Sequence, residues 1–319
     1  MSVVSRAIVV CVAIGGLLLM WLPPAVGAGS SYSYTQIDVS AAKITCDDTV
    51  INSINNRDVM LGTEYCTASR AFVDRDGHDT IFRLPGGSHL DTEPSGISNN
   101  GKYIVVDGQH NYTGRSTAYL RTNGKFHKLT DPKAGRAGTE AEAVNNMKEI
   151  VGLYFTGKGQ THYHGFIDRG GKFRTFHLRV KAAVNVAIID VNDNGELAGY
   201  YQDKHHRYHG FIVDGTRTHI INAPGAGRGS DLGTSVLSIA DNGTYCGNVY
   251  LRHGKATKNT LHGYIHRDGT YQTVVVPHSF GGHNTSASSC NDSGEVAGNY
   301  AYNLGGPDWE DISYSATPA

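Results

Sequence analysis

Helical periodicity is missing from this chain after its first 28 residues, which excludes folds built on amphipathic helices. Also missing are the Gly-x-Ser-x-Gly elbow, the His-Glu-x-x-His metal motif and any glycine-rich loop between a strand and a helix. Those absences remove the sequence signatures of serine hydrolases, zinc proteases and nucleotide-binding enzymes. A paired-carboxylate glycosidase leaves no such signature, because separation in space defines it. Strong charge is absent too: 28 Lys and Arg against 29 Asp and Glu give a net charge of -1, which argues against a nucleic-acid partner. One apolar run exists, Ala7 to Trp21, and it falls short of the roughly 20 residues a spanning helix needs.

That run follows Arg6 and precedes Pro23-Pro24 and the small-residue stretch Val26-Gly27-Ala28, the layout of a cleavable secretory signal over residues 1–28. The remainder is expected to be extracellular or periplasmic, with no membrane segment after cleavage. Cysteine is scarce beyond the signal. Cys46, Cys66, Cys246 and Cys290 allow three pairings. Cys246 stands in a column with Leu61, Val151, Ala198 and Ala297, and Cys290 in one with Ile54, Val144 and Ile239, so both are expected to pack as small apolar groups. Cys46 and Cys66 match no column, and a disulfide between them is the favoured pairing.

What the chain has in quantity is a repeated phrase. Copies begin at Ile54, Ile97, Val144, Val191, Ile239 and Cys290, at steps of 43, 47, 47, 48 and 51 residues, the period of a propeller blade or solenoid turn. Thr precedes the start by five residues in all copies but the fourth, which has Val186. Gly follows it by eight residues in Gly62, Gly152, Gly199, Gly247 and Gly298, with Val105 in the second copy. Turn pairs recur downstream: Asp76-Gly77, Asn123-Gly124, Gly170-Gly171, Asp214-Gly215 and Asp268-Gly269. Asn or Asp before Gly tolerates the positive φ of two-residue hairpins, so each unit reads as four antiparallel strands. The fold class is all-β: a β-propeller of about six four-stranded blades in one domain, residues 29–319.

The sixth unit starts at Cys290 and lacks a clear third or fourth strand. Tyr34 to Val39 resembles the fourth strands of other units and would close the ring, with Asp311 to Ser315 as the third strand. Closure removes an exposed sheet edge. The rival is an open solenoid with polar capping ends.

The run Val191-Asn192-Asp193-Asn194-Gly195-Glu196-Leu197-Ala198-Gly199-Tyr200, followed by His209-Gly210-Phe211-Ile212 and Ile221-Asn222-Ala223-Pro224-Gly225, resembles the bacterial extracellular HAF-repeat proteins. Arg70 and Thr117 depart from the pattern where it has His. The resemblance implies a secreted, propeller-like repeat and carries no activity or catalytic residue.

His164, His209 and His262 recur once per unit, too regularly to converge on one metal, and no metal or cofactor is expected. Asp190, Asn192 and Asn194 mimic the start of an EF-hand loop, but Tyr201 stands where a bidentate carboxylate is required. The irregular loops carry more. His205, His206, Arg207, Arg252 and Lys255 lie in connections between second and third strands, and variable loops on a rigid scaffold are where binding sites lie. They are the candidate ligand-binding residues, for an extracellular polysaccharide of anionic type or a protein. The expected activity is binding by a monomer without catalysis. The alternative is a hydrolase or lyase with its site at the mouth of the central channel.

Overall fold

The computed structural model describes residues 32–37, 48–66, 69–86, 90–110, 115–156, 162–252, 259–276, 282–303 and 309–318. All regular structure among them is strand. After β1 (Tyr32–Ile37), blade one comprises β2 (Asp48–Ile54), β3 (Met60–Tyr65), β4 (Arg70–Arg75) and β5 (His78–Phe82). Blade two is β6 (Leu90–Ile97), β7 (Tyr103–His110), β8 (Ser116–Thr122) and β9 (Lys125–Leu129). Blade three is β10 (Thr139–Val144), β11 (Glu149–Thr156), β12 (His162–Arg169) and β13 (Phe173–Thr175). Blade four is β14 (Asn185–Val191), β15 (Leu197–Gln202), β16 (Tyr208–Asp214) and β17 (Arg217–Ile221). Blade five is β18 (Gly233–Ile239), β19 (Tyr245–Arg252), β20 (Asn259–Arg267) and β21 (Thr270–Val274). Blade six is β22 (Gly282–Cys290), β23 (Val296–Asn303) and β24 (Trp309–Pro318), completed by β1. The molecule is a β-propeller.

Strand β1 pairs antiparallel with β24 from Tyr32↔Pro318 to Ile37↔Ser313, so the ring closes through its two ends as expected. Tyr34 lies against Tyr314 with ring centroids 5.9 Å apart, and the Tyr32 hydroxyl donates to the Gly294 carbonyl at 3.1 Å. These contacts bury the seam in the core of blade six, around Cys246, Cys290, Val296 and Tyr300. Cys246 and Cys290 are buried and free, in their packing roles. Cys66 is disulfide-bonded; Cys46 and the signal segment 1–28 lie outside the described residues.

Each repeated column has a physical task. Thr92, Thr139, Thr234 and Thr285 turn their hydroxyls to the end of the preceding connection, accepting from the backbone N–H of Leu84, Asp131, Ala223 and Val276 at 3.0 to 3.1 Å. The Gly column faces a carbonyl oxygen: a Cβ on Gly152, Gly199 or Gly247 would stand 2.1 Å from the oxygen of Glu140, Ala187 or Ser235. Blade two departs from the fixed spacing. Its first turn is one residue longer, so Val106, opposite Pro94, holds the place that Gly62 holds opposite Ile51, and the column passes through Val106, not Val105.

In four of the six blades the start residue is followed by an Asn that is both turn and staple, blades two and five having Ser98 and Ala240 there. Asn145 Oδ1 accepts from Met147 N and Glu149 N, while its Nδ2 donates to the Asn192 carbonyl in the next blade. Asn55, Asn192 and Asn291 reach the next blade in the same way. The outer hairpins follow the turn pairs, with positive φ at both residues of Asp76-Gly77, Asn123-Gly124, Gly170-Gly171 and Asp268-Gly269. In blade four the turn falls one residue later, after Asp214, and Gly215 has φ 55°.

Candidate functional site at the central channel

The six innermost strands, β2, β6, β10, β14, β18 and β22, share one irregularity. Each slips register next to the repeat start, between Ile51/Ser53, Pro94/Gly96, Ala141/Ala143, Ile188/Asp190, Val236/Ser238 and Ala287/Ser289. A bulge leaves one residue unpaired and re-aims its side chain. The skipped residues are Asn52, Ser95, Glu142, Ile189, Leu237 and Ser288, and all six line an axial cavity of about 200 Å3.

One end of the channel is stoppered. Position two after each start holds Asn56, Asn99, Asn146, Asp193, Asp241 and Asp292, three amides followed by three carboxylates. Asn99 Nδ2 donates to Asp241 Oδ2 at 2.8 Å, and blades two and five stand opposite each other across the axis. Asn56 Nδ2 bridges Asp241 and Asp292, and backbone N–H groups of Asn146, Asp193 and Asp292 donate to the side chains of Asp193, Asp241 and Asn56. Burial, reinforced by Asp193 and Asp292, raises the Asp241 carboxyl above its ordinary range. This plug closes the face that carries the hairpin turns.

The opposite face carries the starts of the inner strands, the ends of the second strands and the starts of the third. Here the repeat breaks down. Blades two and three contribute Glu93, Asp107 and Glu140. Asp107 accepts from Ala141 N at 3.1 Å and Ser95 Oγ at 3.2 Å, and burial followed by the charges of Glu142 and Glu140 pushes its carboxyl well up. Glu140 accepts from Ser116 Oγ at 2.6 Å. Burial raises Glu93 and Glu140 as well.

Blades three to five contribute tyrosines. Tyr208 stacks on Tyr250 at 5.2 Å and meets Tyr200 edge-on at 5.5 Å. Tyr163 approaches Tyr200, and burial pushes the Tyr163 hydroxyl up to about 12. All four rings are half-buried. Tyr65, from blade one, is pushed to about 12 by burial and then by Glu93, Asp311, Asp91 and Asp48.

The basic loop residues are placed differently. His205 and His206 are exposed, and Arg207 Nε pairs with Asp203 at 3.9 Å. Asp203 also accepts from the backbone of His205 and Arg207 and contacts His209 Nε2 at 3.4 Å, so the loop neutralises part of its own charge. Lys255 and the side chain of Arg252 lie outside the described residues. His209 stacks on Tyr201 at 4.9 Å and His164 lies tilted against Tyr154 at 5.3 Å, each within its own blade. Among the described residues no group of three His, Cys, Asp or Glu is placed to hold a metal ion.

Sequence reading missed the tyrosine row and the channel carboxyls, because they occur where the copies differ. A signal was present: Tyr200 and Asp107 follow the glycine column, where the other units have Thr63, Leu153, Asn248 and Asn299.

No family model and no curated protein matches the chain. Several solved structures are similar to it. TolB from Acinetobacter baumannii matches with 15% identity and a TM-score of 0.52 over 71% of this chain and 54% of its own length, so the chain corresponds to about half of TolB. The six-bladed propeller lectin of Aleuria aurantia matches with 12% identity and a TM-score of 0.47 over 84% of this chain and 93% of the lectin. The propeller domain of the Trilobed protease from Pyrococcus furiosus, which has an open velcro topology, matches with 10% identity and a TM-score of 0.45, over 85% of this chain and 95% of that one. At these identities the likeness is one of fold.

Proposed function

We propose that this chain is a secreted, non-catalytic HAF-repeat propeller that binds an extracellular polysaccharide at the open mouth of its channel. The observation that carries the reading is the row Tyr163, Tyr200, Tyr208 and Tyr250, four half-buried rings from three consecutive blades. Tyrosine offers a flat apolar face for a sugar ring and a hydroxyl for its oxygens. The carboxyls of Glu93 and Glu140, at the starts of inner strands on the same face, accept from sugar hydroxyls and disfavour an acidic polymer. The preferred ligand is therefore a neutral or amine-bearing polysaccharide, where loop composition alone pointed to an anionic one.

Retention of the protein on cellulose, chitosan and alginate matrices tests this. Binding to cellulose or chitosan, lost by about tenfold or more in a Tyr208→Ala/Tyr250→Ala double variant and kept when His205, His206 and Arg207 are neutralised, is the expected result. Retention on alginate alone, abolished by neutralising those basic residues, would restore the loop site.

A further inference from the structure

The collar of bulged residues has a polar arc and an apolar arc. Asn52, Ser95, Glu142 and Ser288 come from blades one, two, three and six, and Ile189 and Leu237 from the adjacent blades four and five. Three carboxyls line the cavity, and no Lys, Arg or His does. Two of the three are already satisfied. Asp190 accepts from Ile239 N and Val191 N, both at 2.8 Å. Asp193 accepts from Asn146 N, Asn146 Nδ2 and Asn99 Nδ2.

Glu142 is different: it is half-buried in the cavity wall, and no described residue donates a hydrogen bond to its carboxyl. Nothing cationic faces it, and burial together with Glu140 pushes it up to about 8. A carboxyl in the wall of a narrow channel has lost part of its hydration, and a cation that pairs with it there restores what it lacks. The bulge that aims it at the axis occurs in every blade, yet only blade three places a carboxylate there.

We propose that the collar is a binding site for a primary ammonium group on a slim aliphatic stem, with the ammonium held by Glu142, Asn52 and Ser95 and the stem lying against Ile189 and Leu237. The asymmetry selects this class. A hydrated divalent ion would waste the apolar arc, whereas a neutral alkyl chain would leave Glu142 unpaired. A cavity of about 200 Å3 is also below the ~300–1,000 Å3 typical of larger ligands. The Asn99 to Asp241 bond plugs the turn face, so the amine enters from the tyrosine-lined mouth. This site is separate from the tyrosine row and does not depend on polysaccharide binding.

Calorimetric titration of the full chain with n-butylammonium tests it, alongside n-butanol and calcium chloride as probes. The expected outcome is saturable one-to-one binding of n-butylammonium, weakened about tenfold or more in Glu142→Gln, with neither control probe saturating. Glu142→Gln removes no hydrogen bond within the protein, so its fold is retained; an unchanged circular dichroism spectrum confirms that. Absence of saturation by n-butylammonium at millimolar concentration overturns the proposal. So does equal affinity in Glu142→Gln, or saturation by calcium in place of the amine. Polysaccharide retention is scored separately on the tyrosine variant, so either reading can fail alone.

Discussion

The side-chain amide of Asn145 donates to the backbone carbonyl of Asn192, one blade further round the ring, at 3.0 Å. The same residue holds its own hairpin by accepting two backbone N–H groups at 3.1 and 2.9 Å. Local turn and ring assembly therefore depend on one side chain.

Replacing Asn145 with Ala removes three hydrogen bonds, two buried and one part-buried, and leaves two N–H groups without partners, while the Asn192 carbonyl keeps the N–H of Gly195. The expected loss is about 3 kcal/mol, since each unsatisfied buried group costs on the order of 1–3 kcal/mol and part is recovered by relaxation. Urea unfolding measures it, and a change below about 0.5 kcal/mol would show that the turn holds without the staple.

Gly247→Ala and Gly124→Ala separate two reasons for a glycine. A Cβ at Gly247 would lie 2.1 Å from the Ser235 oxygen, so two strands must move apart. Gly124 has φ 74° and open space around it, so only backbone strain of about 1 kcal/mol applies. The first substitution is expected to destabilise by more than ~3 kcal/mol, or to abolish soluble expression, and the second by about 1. Equal thermal shifts for the two would contradict the close approach.

Asp190 makes stability depend on pH. Burial is the leading cause of a folded-state value raised to about 6, against hydrogen bonds from Ile239 N, Ser238 and Val191 N that lower it. The unfolded carboxyl titrates near ~3.9, so the folded state holds the proton more tightly. The stabilising contribution is full below the unfolded value, is lost as pH rises through about 6, and is absent at neutrality. Asp190→Asn turns an amide NH2 toward one of the two N–H groups that the carboxyl accepts, so the variant is expected to be less stable than the parent in acid, with the gap narrowing as pH rises through about 6. Denaturant midpoints compared near pH ~4 and ~7.5 check the sign; a gap that widens toward pH ~7.5 would refute it.

Removing residues 32–37 exposes the edge of β24 and the Tyr314 ring. The melting temperature is expected to fall by more than ~10 °C, with concentration-dependent association through the freed edge. Light scattering and calorimetry read both effects, and an unchanged melting curve would mean that blade six is stable without β1.

Much of this architecture is legible in the sequence because each blade repeats the same physical tasks. Thr234 is readable because its hydroxyl does at Ala223 what Thr92 does at Leu84, so selection for one bond writes the same letter several times. The ends were readable through complementarity, with Tyr34 and Asp311 each supplying part of an incomplete unit. The inner bulges were not, because register slippage leaves no letter of its own. Nor was the extra residue in the first turn of blade two, which shifts the glycine column onto Val106. The candidate site was legible least. Glu142 and Tyr200 do something that only one blade does, and a period averages out whatever occurs once.

The closing seam has a mechanical meaning. In the pairing of β1 with β24, Tyr32 lies opposite Pro318, so the chain enters and leaves the ring at the same end of one antiparallel pair. Tension applied through the segments flanking these two residues loads the bonds one after another, from Tyr32 toward Ile37, instead of shearing them together. Pulled at that seam, the closed ring therefore opens like a zipper.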